Sequence, residues 1–193
     1  MTLILAMRGK VETHPGEFPA WVLVADDRTQ SNGMLVERGE KLTRVGALMV
    51  GLSGGGTTGD HYLELVRQEE EPSSFESQER VMTALWERYE RIKKVKSDVD
   101  RPDLMGFLVR GGRCWYVDHD FWQYEVARWS AIGSSWSLAS YLLAQRLPDR
   151  TELTVEELIE VGAGIINEVS KQDLGVGKPY MALVEHSTIV KYL

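Results

Sequence analysis

The sequence has one cysteine in 193 residues, so no internal disulfide can close, and that usage fits a reducing cytosol. The residue, Cys114, sits in an apolar strand-like run and reads as packing. There are four histidines, and His14, His61, His119 and His186 show no metal-ligand spacing. Asp118-His119-Asp120 reads as a polar hairpin turn, so neither a metal nor another cofactor is expected. Positive charge is scarce as well. With 22 Lys and Arg against 29 Asp and Glu, the net charge is −7, which argues against an electrostatic grip on nucleic acid or anionic lipid. No window approaches the roughly 20 apolar residues of a membrane span. The opening run, residues 3–7, lacks the length and the basic start of a secretory signal. These absences leave a cytoplasmic protein off the membrane as the expectation, and no internal repeat suggests a solenoid.

With 43% hydrophobic and 26% charged residues, the chain can bury a sizeable core, and one domain over residues 1–193 is expected. Strands are expected at 3–7, 21–25, 34–36, 41–45 and 47–52, with a loop over 9–19 and a reversal at Ser31-Asn32-Gly33. Asp60 is positioned to cap a helix through Tyr62, Leu63 and Val66. After a turn from Pro72 to Ser77, a second helix carries Val81, Leu85, Trp86, Tyr89 and Ile92 at three-four spacing, its aromatics read as core. Lys93-Lys94-Val95-Lys96 suits its C-terminal dipole. Residues 104–109 and 114–117 form a hairpin around Gly111-Gly112, and 124–132 reads as one further strand. A third helix follows Gly133-Ser134-Ser135, and Thr154 with Glu157 makes a capping box for a fourth. Strands at 180–184 and 188–192 finish the chain. Runs of strands alternating with helix pairs predict an α+β fold of antiparallel sheets with helices outside.

Thr2 stands immediately before the first strand. Removing a methionine ahead of a small residue would leave one residue holding both a hydroxyl nucleophile and an α-amine. That amine, with an ordinary pKa near 7.7 to 8, can act as the hydroxyl's own base. Taken alone, Thr2 merely begins an edge strand.

The residues downstream change this reading. Thr2 before a strand, Val24-Ala25-Asp26-Asp27-Arg28, Glu40-Lys41-Leu42, Gly51-Leu52-Ser53-Gly54 and Ala131-Ile132-Gly133-Ser134 occur in order across nearly the whole chain. In this series the sequence resembles the proteasome β-subunit and HslV family of N-terminal-nucleophile threonine hydrolases. The resemblance implies a four-layer α-β-β-α sandwich. It also implies Thr2 as nucleophile, Lys41 as the neighbouring cation that lowers proton affinity at Thr2, and Asp26 as the carboxylate that aims Lys41. An ordinary surface pair, worth about 0 to 1 kcal/mol, is the rival account of Lys41 and Asp26. Gly54 resembles the glycine whose N–H faces the oxyanion. A phosphate loop is the poorer reading of Gly54 to Gly59, since the P-loop lysine is missing. Ser134 resembles the serine near the nucleophile's amine, with a helix N-cap as the alternative, and Asp173 matches the late aspartate. Thr29, Thr43 and Leu52 resemble the wall of the pocket before the cut, which implies a modest preference for apolar side chains.

The chain departs from the family pattern at three places. Val176 stands where a second serine is usual, the Gly54 to Asp60 loop reads two residues longer, and the first hairpin through His14 and Pro19 is long. The resemblance implies a homo-oligomeric ring or spiral acting on peptides or unfolded protein, with an ATP-dependent unfoldase as a candidate partner. Two rivals remain: a non-catalytic ring subunit serving as scaffold or gate, and an amidase of the same chemistry acting on small amides. A retained Met1 would block the hydrolase chemistry.

Overall fold

The computed structural model describes residues 2–13, 16–31, 34–37, 41–93, 102–120, 123–147, 153–185 and 190–192. Met1, His14-Pro15, Asn32-Gly33, Glu40, Lys94-Val95-Lys96, Pro148, His186 and Thr188, all drawn on above, lie outside them.

Among the described residues there are two five-stranded antiparallel sheets and four helices. The first sheet runs β10-β1-β2-β11-β12, from β1 (Leu3–Thr13), β2 (Gly16–Asp26), β10 (Trp129–Gly133), β11 (Pro179–Val184) and β12 (Val190–Tyr192). The second runs β5-β6-β7-β8-β9, from β5 (Leu42–Val45), β6 (Leu48–Gly54), β7 (Leu104–Arg110), β8 (Arg113–Asp118) and β9 (Gln123–Val126). A separate pair, β3 (Arg28–Ser31) and β4 (Met34–Glu37), sets Ser31 opposite Met34. The helices are α1 (Gly56–Val66), α2 (Phe75–Lys93), α3 (Trp136–Arg146) and α4 (Val155–Ser170).

The strands are apolar on both faces because both faces are covered. Along β1, Leu3, Leu5 and Met7 pack with α3 and α4, while Ile4 and Ala6 enter a different cluster. Along β2 the same alternation sends Ala20, Val22 and Val24 one way and Trp21, Leu23 and Ala25 the other. The second cluster also takes Met49 of β6 with Phe107 and Val109 of β7, so it lies between the sheets. The opposite side of β6 and β7, with Leu48, Val50, Leu104 and Leu108, packs against Tyr62 and Val66 of α1 and Val81, Met82 and Leu85 of α2. A period of two carried into apolar contacts on both sides is what a doubly covered sheet demands. Each fully buried aliphatic side chain contributes on the order of 1.5–3 kcal/mol.

Several sequence expectations change. Residues 9–13 and 16–19 are strand, not loop. They extend β1 and β2 as an antiparallel pair from Ile4 opposite Ala25 to Thr13 opposite Gly16, because ladder hydrogen bonds and pairing with the neighbouring strand override the local Gly and Pro signals. Residues 124–132 are not one strand either. β9 ends the second sheet on β8, whereas β10 pairs with β1 in the first, so the chain passes between sheets at Ala127-Arg128. Asp60 lies inside α1, whose N-cap is Gly55. The supposed long loop from Gly54 to Asp60 is therefore mostly the first turns of that helix. The second helix begins at Phe75, before Ser77, and Trp86 and Tyr89 are half-buried. The Thr154-Glu157 capping box on α4 is present, and Cys114 is buried, its thiol pKa pushed up by desolvation.

No helix among the described residues is long and apolar enough to cross a membrane.

Candidate active site

Thr2 immediately precedes β1 and is 5% exposed. Its carbonyl accepts a hydrogen bond of 2.7 Å from the Ser134 N–H, just past β10. Gly133, opposite Leu3, makes this approach possible. At its φ of 93° a Cβ would lie 1.7 Å from the Thr2 carbonyl oxygen and 2.8 Å from Ser53 Oγ. Only glycine fits there.

Asp26 closes β2 and is fully buried. Its Oδ1 accepts from the Leu3 N–H at 2.9 Å and from Lys41 Nζ at 2.5 Å. Its Oδ2 accepts from the Gly177 N–H at 2.7 Å. One carboxylate oxygen thus joins the first peptide group of β1 to the Lys41 ammonium. Both oxygens of this buried carboxylate therefore have hydrogen-bond donors.

Lys41 reaches Asp26 from the other sheet. Its carbonyl accepts from the Leu52 N–H of β6 at 2.9 Å, while its Nζ also donates to the Arg28 carbonyl. Its side chain is 3% exposed, which rules out the surface-pair reading of Lys41 and Asp26. Burial pulls the Lys41 pKa below its ordinary 10.5, with the Asp26 carboxylate opposing that shift. The pair bridges the sheets at the end where β1 begins.

Gly54 ends β6 opposite Leu104. It is exposed, with φ 139°, and a Cβ there would come 2.1 Å from the Asp103 carbonyl oxygen. Its neighbour Ser53 is buried against Gly133, so the exposed end of β6 lies beside the Thr2 turn.

Asp173 follows α4, and its Oδ1 accepts from the Gly175 N–H at 2.7 Å. Its Oδ2 accepts from Ser135 Oγ at 2.6 Å. Ser135, not Ser134, is the N-cap residue of α3, so the N-cap alternative for Ser134 falls away. Val176 is 1% exposed and packs among Val169 and Ala182, so that position serves the core.

Leu52 packs against Gly59 of α1 and over Gly106, on the face of the second sheet turned toward the helices. Thr43, opposite Val50, shares that face. Thr29 lies on β3, and its side chain is outside what the structure describes.

The structure therefore brings Thr2, Asp26, Lys41 and the Ser134 amide into one hydrogen-bonded cluster, with the end of β6 alongside. Leu52 and Thr43 stand on a separate face. Sequence reasoning missed Ser53, Ser135 and Gly177. Ser135 was signalled only by the doubled serine, and Gly177 by nothing local, since its role depends on an Asp26 contact across 151 positions.

Neither protein-family models nor curated proteins match the chain. Solved structures do. Thiobacillus denitrificans BPH matches at a TM-score of 0.66 and 17% identity, over 97% of this chain and 100% of that one. Thiobacillus denitrificans BPH in complex with epoxomicin matches at 0.62 and 16%, over 100% and 99%. Eukaryotic HslV from Trypanosoma brucei matches at 0.66 and 14%, over 95% and 99%. At these identities the likeness shows the fold, which is of the HslV and proteasome type.

Proposed function

We propose that the chain is a threonine-type peptidase subunit of the proteasome β-subunit and HslV family, assembled into a self-compartmentalising ring or spiral. In this reading residues 1–193 form a single domain, and the three apolar clusters separate the layers of an α-β-β-α sandwich. The observation that carries the function is the shared Asp26 oxygen, which holds a buried lysine against the first peptide of β1. A dry ammonium fixed there has little structural justification, because an apolar pair of similar volume packs as well or better.

The chemistry begins once the peptide bond before Thr2 is cut. The Thr2 hydroxyl oxygen adds to the substrate carbonyl carbon and its proton passes to the Thr2 amine, while Lys41 disfavours extra protons nearby. The Gly54 N–H donates to the oxyanion, an interaction whose loss in other enzymes lowers rate about 100- to 1,000-fold. The amine then delivers its proton to the leaving nitrogen as the C–N bond breaks. Water hydrolyses the resulting ester and restores Thr2. Although Leu52 and Thr43 face α1 and not the Thr2 cluster itself, they and Thr29 would shape the pocket before the cut and favour apolar side chains, and an ATP-driven unfoldase would feed substrate to the chamber.

Intact mass and fluorogenic-peptide hydrolysis, measured on wild type and Thr2→Ala, test this reading. The expected outcome is a wild-type chain starting at Thr2, cleavage best after apolar residues, binding of epoxomicin, and loss of both activities in Thr2→Ala. Equal turnover by the two proteins, or a mature chain still carrying Met1, overturns it. The second reading, a non-catalytic scaffold or gate, is favoured by the packing of Val176 where a serine is usual.

A further inference from the structure

Ser135 is the one non-glycine residue among the described residues with a positive φ, at 52°. This left-handed region suits glycine and asparagine, and other side chains are strained in it. The usual reason for a serine at a helix N-terminus is also missing, because Ser135 occupies the N-cap of α3 and its side chain makes no capping hydrogen bond. Its hydroxyl is spent elsewhere, on Asp173 Oδ2 at 2.6 Å.

That bond joins two segments that support Thr2 from different sides. Ser134, the residue before Ser135, donates its N–H to the Thr2 carbonyl. The segment opened by Asp173 is braced by the Gly175 N–H on Asp173 Oδ1 and by the Val176 N–H on the Asp173 carbonyl at 3.0 Å. It then delivers the Gly177 N–H to Asp26 Oδ2. One hydroxyl therefore ties the turn that holds Thr2 to the segment that holds Asp26, at a position where the backbone would be more comfortable with glycine. Strain retained at such a junction points to function.

We propose that Ser135 is a positioning residue for the nucleophile. Its bond to Asp173 locks the Ser134 turn to the Asp173–Gly177 segment, in a chain whose Val176 offers no hydroxyl there. The proposal rests on the peptidase reading above. It assigns Ser135 no contact with substrate.

Three variants of the mature protein separate the bond from the strain. Ser135→Gly removes both, so the melting temperature should stay within about 3 °C of wild type. Its kcat should nonetheless fall about tenfold at unchanged KM, and its Gly177 amide should exchange hydrogen about tenfold faster. Ser135→Asn relieves the strain and keeps a donor for Asp173. It should melt about 2–4 °C higher than wild type and hold kcat within about threefold. Ser135→Ala keeps the strain and loses the bond, so it should be the least stable of the three.

Wild-type kcat together with wild-type Gly177 exchange in Ser135→Gly overturns the proposal. So does an Asn variant as impaired as the Gly variant. If wild type hydrolyses no peptide at all, the peptidase reading falls, while Gly177 exchange and the melting order of the variants still decide whether Ser135 ties the two segments together.

Discussion

The Lys41–Asp26 and Arg113–Glu125 pairs close at the same 2.5 Å, yet they differ in nearly everything else. The side chains of the first pair are 3% and 0% exposed, and those of the second 58% and 46%. Asp26 takes two further backbone donors, from Leu3 and Gly177, and Lys41 spans the two sheets. Arg113 and Glu125 meet diagonally between the neighbouring strands β8 and β9, where Trp115 is the residue opposite Glu125, and water and salt screen them. Distance alone does not distinguish a screened surface pair from a buried bridge. Burial and the remaining partners do, because they set how much is lost when one member goes.

Lys41→Ala should break the comparison most severely. It leaves Asp26 buried without its cation, so stability in urea titration should fall by about 3–5 kcal/mol, and peptide hydrolysis should disappear. A comparable loss from Arg113→Ala would dissolve the distinction between the pairs.

A smaller effect sharpens it through pH. Unfolded, Lys41 titrates near 10.5, and in the folded protein its pKa is lower, chiefly through burial. Between those two pH values the unfolded chain holds a proton that the folded chain has released, so stability should rise with pH across that window and level off above 10.5. Lys41→Met should lack this slope in a series of urea titrations. Glu125 behaves in the opposite region. Its hydrogen bond to Arg113 holds its carboxyl below the ordinary 4.5, so its contribution is present above that pH and lost as pH falls through the lowered value.

The smallest effect belongs to Arg113→Ala. Its stability should differ little from wild type at neutral pH, and the difference should vanish as salt is raised in thermal melts.

Much of the fold was legible because it rests on local signals. The short apolar run of residues 3–7, the Gly111-Gly112 hairpin and the Thr154-Glu157 box each carry their own structural instruction, and each stands where expected. The misreadings occurred where two partners competed for one stretch. Residues 124–132 look like a single strand, since nothing in their pattern says that β9 pairs with β8 and β10 with β1. Gly9 and Pro19 look like loop residues until β1 and β2 are laid side by side. Asp60 looks like a helix cap until Gly55 is found to take that position.

The candidate site divides the same way. Residue chemistry by itself pointed to Thr2, a hydroxyl just ahead of a strand, whereas Asp26, Lys41, Gly54 and Asp173 came from the resemblance to the threonine-hydrolase family, whose pieces recur in order along the chain. Whether Lys41 and Asp26 were a solvated pair or a dry bridge was settled only by the stacking of the two sheets, because desolvation belongs to the whole surroundings and not to the pair. Only the structure shows that the two adjacent serines differ at the entry to α3, where the Ser135 hydroxyl, at a positive φ, meets Asp173 and the Ser134 amide meets Thr2. Adjacent serines are chemically identical in a sequence. Folding separates them by aiming one at a carboxylate that lies 38 positions away.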